Sequence, residues 1–132
     1  MKNFSKIKLS LVVPVFNEVK TVNLFIDKVS QVFEPHSSIS IEFLFVNDGS
    51  TDSTLEELLS LQRNDARLKI IDLSRNFGKE AAMTAGLEAA TGDVIVPIDV
   101  DLQDPPELIL EMIAKWREGY EAVLGQRYLH IF

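Results

Sequence analysis

A chain of 132 residues is long enough for one domain with a real core and too short for two ordinary ones. With 46% hydrophobic and 25% charged residues it has a globular composition, not a disordered one. A net charge of -7 excludes the positive footprint of a general nucleic-acid binder, and the absence of cysteine excludes disulfides, thiolate zinc sites and cysteine nucleophiles.

The start, "MKNFSKIKLSLVVPVF", does not read as a secretory signal: the apolar run 9–16 contains Ser10 and Pro14, and no small-residue cleavage site follows. No apolar stretch reaches the roughly 20 residues that span a bilayer, so the chain as it stands is expected to be soluble. The first β-rich run is 9–13. It leads into "PVFNE", where Asn17 and Glu18 either contact a ligand such as a nucleotide or simply start a helix. Val22, Phe25, Ile26, Val29, Val32 and Phe33 follow the helical i, i+3, i+4 spacing. A polar loop, 35–40, separates them from a second strand at 41–46.

After that strand comes "NDGSTDST". Gly49 permits a tight turn. Asp48 either accepts from a ribose hydroxyl or base N–H or makes an ordinary Asx-turn, and Asp52 reads as a cap. Ser53 and Glu56 have capping-box spacing ahead of Leu55, Leu58 and Leu59. A third strand, 68–73, runs into "SRNFGKE", whose Arg75 and Lys79 either face a phosphate or pair on the surface, with Gly78 allowing close backbone approach. Positions 79–90 predict an alanine-rich helix. Its Gly86 costs about 1 kcal/mol against alanine, which suggests a close helix–sheet contact.

The fourth strand, 93–98, ends on "DVDLQD". Leu108, Ile109, Met112, Ile113 and Trp116 stripe a fourth helix, with Asp104 expected as its N-cap and Pro105 at its first turn. A fifth strand is predicted at 121–124. His36 and His130 have no partner at metal-ligand spacing, and neither a nucleophile elbow nor a G-x-x-x-x-G-K-[ST] loop occurs.

Strands apolar on both parities, alternating with helices, predict an α/β fold: a mostly parallel sheet covered on both faces. Ligands of such sheets bind outside the carboxyl ends of the strands, where strand order switches. All four strand-end segments are polar or charged. In a strand, residues i and i+2 share a side, so Asp99 and Asp101 are expected to face one point. With the Gln103 amide oxygen they form a hard-oxygen set suited to Mg²⁺ or Mn²⁺. A divalent cation would let this acidic chain bind a diphosphate.

The segments "LSLVVPVFNE", "FLFVNDGSTDST", "LSRNFGKEAAMTAGLEAATGDVIVPIDVDLQDPPELI" and "AVLGQRY" together resemble the family 2 glycosyltransferases of GT-A fold. They look most like the polyprenyl-phosphate group of bactoprenol glucosyltransferases and dolichol-phosphate mannosyltransferases. The resemblance runs from Leu9 to about Tyr128, and "RNFGKE" with "DVDLQDPPE" is far more specific than a bare D-x-D. It implies a Rossmann-like GT-A domain over 1–132. It also implies a sugar moved with inversion from a nucleotide-sugar, a UDP-sugar favoured over GDP-mannose, to a polyprenyl phosphate. By the same resemblance Pro14, Val15, Asn17 and Glu18 line the nucleoside and Asp48 meets the base, with Lys79 taken as a further donor-binding residue. Asp99 and Asp101 form the catalytic metal and ribose-diphosphate motif, Gln103 adds a metal contact, and Arg127 lies near the acceptor phosphate.

The family extends well past this point, whereas here the chain stops at Phe132 after "YLHIF". The expectation is therefore a chain truncated at its C-terminus, with the acceptor half and membrane contact supplied by parts beyond residue 132. The full-length protein would then lie on the cytoplasmic side of a membrane, with a homo-oligomer left open. A competing reading from another class is a truncated, non-catalytic nucleotide-sugar-binding module. A sugar nucleotidyltransferase is disfavoured, because its glycine-rich phosphate loop near the N-terminus is absent.

Overall fold

A computed structural model describes residues 6–119. Four strands and four helices alternate: β1 Ile7–Val15, α1 Val22–Phe33, β2 Ile39–Asn47, α2 Thr54–Arg63, β3 Leu68–Asp72, α3 Lys79–Ala89, β4 Val94–Pro97 and α4 Glu107–Arg117. The strands form one sheet in the order β3-β2-β1-β4, and every neighbouring pair is parallel. The expected α/β architecture is thus the observed one. The fifth predicted strand, 121–124, lies outside the described residues.

Both faces of the sheet are covered, which is why its strands are apolar on both parities. On one face, Leu9, Leu11 and Val13 of β1 sit in register with Ile41, Phe43 and Phe45 of β2, and Leu9 and Leu11 with Val94 and Val96 of β4. These side chains join the buried stripes of α1, α2 and α4 in one core. Phe25 of α1 meets the Phe43 and Phe45 rings edge-on, each at 6.1 Å between centroids, an arrangement aromatic pairs favour. On the other face lies α3. A Cβ on Gly86 would stand 2.4 Å from Val12 Cγ1 and 3.1 Å from Val46 Cγ2. The helix approaches the sheet this closely only because that position has no side chain, as the sequence suggested.

Strands β1 and β2 are longer than their most apolar stretches. Pro14 remains within β1 because the β1–β4 ladder ends at Val12↔Pro97, so its missing N–H opens no gap on that side.

Two predicted caps are corrected. Ser53 does precede α2, but its side chain makes no capping bond. Instead the Thr54 N–H donates to Asp52 Oδ1 at 2.9 Å, so the cap read at Asp52 takes over. Helix α4 opens at Glu107 after Pro106, not after Asp104. Its first turn is built on the two prolines, with Leu108 N–H donating to the Pro105 carbonyl and Ile109 N–H to that of Pro106, each at 3.0 Å. Proline fixes its own φ and disfavours helix in the residue before it, which leaves Asp104 upstream of the helix.

A polar cluster is buried at the opposite end of the sheet from the strand carboxyl ends. Glu42, 3% exposed, accepts from Ser10 Oγ at 2.6 Å and from the Thr91 N–H at 3.2 Å, and pairs with Lys69 Nζ at 2.6 Å. Ser10 Oγ in turn accepts from the Gly92 N–H at 2.8 Å. Burial alone would raise the Glu42 pKa. The Lys69 ammonium, the Ser10 hydroxyl and the Thr91 N–H and hydroxyl outweigh it and bring the carboxyl to about 2. This cluster ties the turn before β4 to the middle of the sheet.

Candidate functional site

Strand order reverses at β1: β2 and β3 lie to one side of it, and β4 to the other. The crevice outside the carboxyl ends of β1 and β4 is where such a sheet binds ligands. A cleft of about 250 Å³ lies there, open to solvent. Pro14, Val15, Phe16 and Glu18 line it from β1, Asp48 from β2 and Lys79 from the start of α3. Asp99, Val100, Asp101 and Gln103 close it from β4. The predicted site residues within the described region therefore line one cleft, except Asn17 and Arg75. Arg127 lies outside the described residues.

The two aspartates arrive by a different route from the one their spacing suggested. Strand β4 ends at Pro97, so i, i+2 alternation does not apply to them. The chain turns instead: the Leu102 N–H donates to the Asp99 carbonyl at 3.2 Å, and Leu102 adopts a left-handed φ of 54°. Val100, 6% exposed, is the residue this turn buries. Its apolar side chain anchors the turn while the acids on either side meet the cleft.

Asp48 is a buried carboxylate, 4% exposed. Its Oδ1 accepts from the Phe77 N–H at 2.8 Å and its Oδ2 from the Gly78 N–H at 3.1 Å, while its carbonyl accepts from Asn76 Nδ2 at 3.1 Å. It thus makes no simple Asx-turn within its own loop. It fastens the loop after β3, and so fixes the root of Lys79. Gly49 completes the junction: its φ is +71°, and a Cβ there would lie 2.2 Å from the Asn76 nitrogen. The expected tight turn is present, and its purpose is to let two backbones touch.

Asn17 works on the far side of β1. At φ 54°, its Oδ1 accepts from the Thr51 N–H at 2.8 Å and the Asp52 N–H at 3.2 Å. Its own N–H donates to Ser50 Oγ at 2.9 Å. The Glu18 N–H donates to Thr54 Oγ1 at 2.9 Å. The segments after β1 and β2 are thereby clamped together. Glu18 starts the helix, one of the two alternatives read from the sequence: its carbonyl accepts from the Thr21 and Val22 N–H groups that open α1, and the residue also lines the cleft.

Lys79 Nζ pairs with Asp99 Oδ1, and Gln103 Nε2 donates to Asp101 Oδ2 at 3.1 Å. Arg75 does not line the cleft; its guanidinium lies over the Phe77 ring, 4.5 Å from the centroid. Phe16, 44% exposed at the cleft, was not singled out from the sequence. Its only signal there was an aromatic side chain continuing past the end of an apolar strand.

Among the described residues no three His, Cys, Asp or Glu side chains gather as a metal site. The turn after β4 offers the cleft two carboxylates and one amide. Magnesium-like ions commonly take one or two carboxylates and complete their shell with water and substrate phosphates, so this hard-oxygen set fits such an ion.

A family profile described as "Glycosyl transferase family 2" matches residues 10–131. A prophage bactoprenol glucosyl transferase homolog of Escherichia coli is 48% identical over 120 residues, covering 91% of this chain and 39% of its own length. Among solved structures, the mannosyltransferase PcManGT of Pyrobaculum calidifontis, in complex with GDP-Man and Mn²⁺, superposes with a TM-score of 0.72 at 23% identity, covering 89% of this chain and 34% of that one. Staphylococcus aureus TarS in complex with UDP-GlcNAc gives 0.67 at 27%, covering 84% and 31%. The chain spans under two-fifths of the length of the first curated relatives it matches, 37–39%.

Proposed function

The chain belongs to glycosyl transferase family 2, with the parallel α/β architecture of GT-A glycosyltransferases, and from that premise we propose that residues 1–132 form the donor-binding domain of a metal-dependent enzyme that transfers a sugar to a polyprenyl phosphate. The observation that carries this reading is the convergence of four strand-end segments, with Asp99 and Asp101 among them, on the cleft at the β1/β4 switch. The bactoprenol names of the relatives support the lipid acceptor; one structural neighbour holds UDP-GlcNAc and another GDP-Man, and the reading takes a UDP-sugar over GDP-mannose on the sequence resemblance.

In this reading Pro14, Val15 and Phe16 form the apolar wall beside the nucleoside. Asp48 fixes the loop after β3 and turns its remaining lone pairs to the base or ribose. Glu18 stands at the ribose side, and Asn17 acts indirectly by clamping the loops that shape this wall. Asp99, Asp101 and Gln103 would hold Mg²⁺ or Mn²⁺, which when bound supplies Lewis-acid neutralisation of the leaving diphosphate. Lys79 faces the same diphosphate.

A phosphate oxygen of the acceptor, already ionised at neutral pH, attacks the anomeric carbon as the bond to the diphosphate oxygen breaks. In-line attack inverts that carbon, and the nucleoside diphosphate leaves. Positioning then outweighs general-base catalysis. Arg127 would orient the acceptor phosphate, a task suited to a guanidinium. The enzyme would work at the cytoplasmic side of a membrane. Among the described residues no helix is long and apolar enough to cross one.

The test is transfer of label from UDP-glucose, or from GDP-mannose as competitor, to a short polyprenyl phosphate by the full-length protein that carries this domain. The proposal predicts a labelled lipid product that Mn²⁺ supports and Asp101→Ala abolishes. Equal transfer by the variant would remove Asp101 from the mechanism.

A further inference from the structure

The cleft is short of positive charge. Among the described residues its lining carries the carboxylates of Glu18, Asp48, Asp99 and Asp101, and one cationic side chain, Lys79. Asp48 is satisfied by backbone N–H groups. Asp99 is the acid that Lys79 holds. An ammonium thus stands at one of the two carboxylates proposed for the divalent cation.

The position of this lysine is unusual. Lys79 is the first residue of α3, where the helix dipole disfavours a cation. Local helix electrostatics therefore do not explain it. Its root is fixed, because Asp48 grips the two residues before it. Its tip is not: the side chain is 60% exposed, against 21% for Asp99. A long side chain on a fixed root and in solvent can swing between neighbouring partners at little cost, since exposed ion pairs are weak.

Resting on the donor-site reading above, we propose that Lys79 is a placeholder cation. In the free protein it occupies Asp99. When a divalent cation takes Asp99 and Asp101, Lys79 is released onto the donor diphosphate. One ammonium serves two anions in turn, and charge accounts for the order. Two carboxylates and a divalent ion sum to zero, which leaves a doubly charged sugar diphosphate with Lys79 as the cation that lines its site among the described residues. Metal and nucleotide would then help each other bind beyond their direct contact, because the metal frees the lysine that the diphosphate needs. By linkage the help is mutual.

The experiment compares the wild-type chain with Lys79→Met and Lys79→Gln. The exposed helix-α1 variant Lys28→Met reports the effect of removing one charge at a distance. Free Mn²⁺ is followed by electron paramagnetic resonance during titration without nucleotide, and UDP binding by calorimetry at saturating Mn²⁺. Circular dichroism confirms that each variant is folded. The expected result is Mn²⁺ binding about three- to fivefold tighter in both Lys79 variants than in Lys28→Met, the scale set by losing an exposed ion pair, with UDP binding weakened in the same proteins. Unchanged Mn²⁺ affinity in the Lys79 variants, with UDP still bound in the presence of Mn²⁺, would overturn the placeholder role and leave the donor site standing. Failure of the wild-type chain to bind either probe would overturn both.

Discussion

Glu42→Gln should destabilise the protein at neutral pH, and the penalty should fade in acid. The Glu42 carboxyl is brought from 4.5 to about 2 in the folded state. A depressed carboxylate pKa contributes stability that is fully present above the unfolded value, near 4.5, and is lost as pH falls through the folded value, near 2. The whole shift corresponds to about 3 kcal/mol. Lys69, its main partner, has a side chain 53% exposed, and solvent screening there brings the figure to roughly 2 kcal/mol. Linkage places somewhat more than half of that loss between pH 6 and pH 3. Glutamine can still accept from Ser10 and Thr91, but it leaves Lys69 without its counter-charge. The assay is urea unfolding of wild type and Glu42→Gln at pH 6, 4.5 and 3, read as the difference between the two proteins so that other acids cancel. A gap of about 2 kcal/mol at pH 6 that shrinks to below 1 kcal/mol at pH 3 is expected. A gap independent of pH would mean that Glu42 contributes packing and not charge, contrary to its ion pair with Lys69.

Asp48→Ala removes the acceptor for two N–H groups of the loop after β3, and should cost about 1–3 kcal/mol of stability together with faster amide exchange at Phe77 and Gly78. Gly49→Ala should lower the urea midpoint by more than Gly78→Ala, although both glycines have positive φ: a Cβ at Gly49 meets backbone at 2.2 Å, whereas nothing stands within 4 Å at Gly78. Asp101→Ala should weaken Mn²⁺-dependent UDP binding by about 2–4 kcal/mol, the scale for truncating a close charged contact, with little change in the thermal midpoint of the free protein, since Asp101 is exposed.

What the sequence made legible was what depends on local pattern. Leu11, Val12 and Val13, apolar on consecutive positions, pointed to a strand covered on both faces, and Gly86 in an otherwise alanine-rich helix pointed to a close contact with the sheet. The clustering of Asp99, Asp101, Gln103, Asp48 and Glu18 around one cleft followed from a topological rule, since every carboxyl end of a parallel sheet lies on the same side. Other features depend on distant partners. Asp104 had the right residue type for a cap, but consecutive prolines moved the helix start beyond it. Asp99 and Asp101 reach the cleft through a turn, although their spacing also fits a strand. Asn17 and Asp48 bond to loops that lie 34 and 29 residues away along the chain. Glu42 interrupts an apolar strand, and only the tertiary structure brings Ser10, Lys69 and Thr91 to it.

On the proposed reading, the cleft at the β1/β4 switch binds a nucleoside diphosphate through a divalent cation held at Asp99 and Asp101. The most direct measurement is calorimetric titration of UDP into the chain with Mn²⁺ and again with EDTA. A clear binding isotherm is expected with Mn²⁺, with at least a tenfold loss of affinity in EDTA, about 1.4 kcal/mol. Equal affinity in the two buffers would contradict that reading.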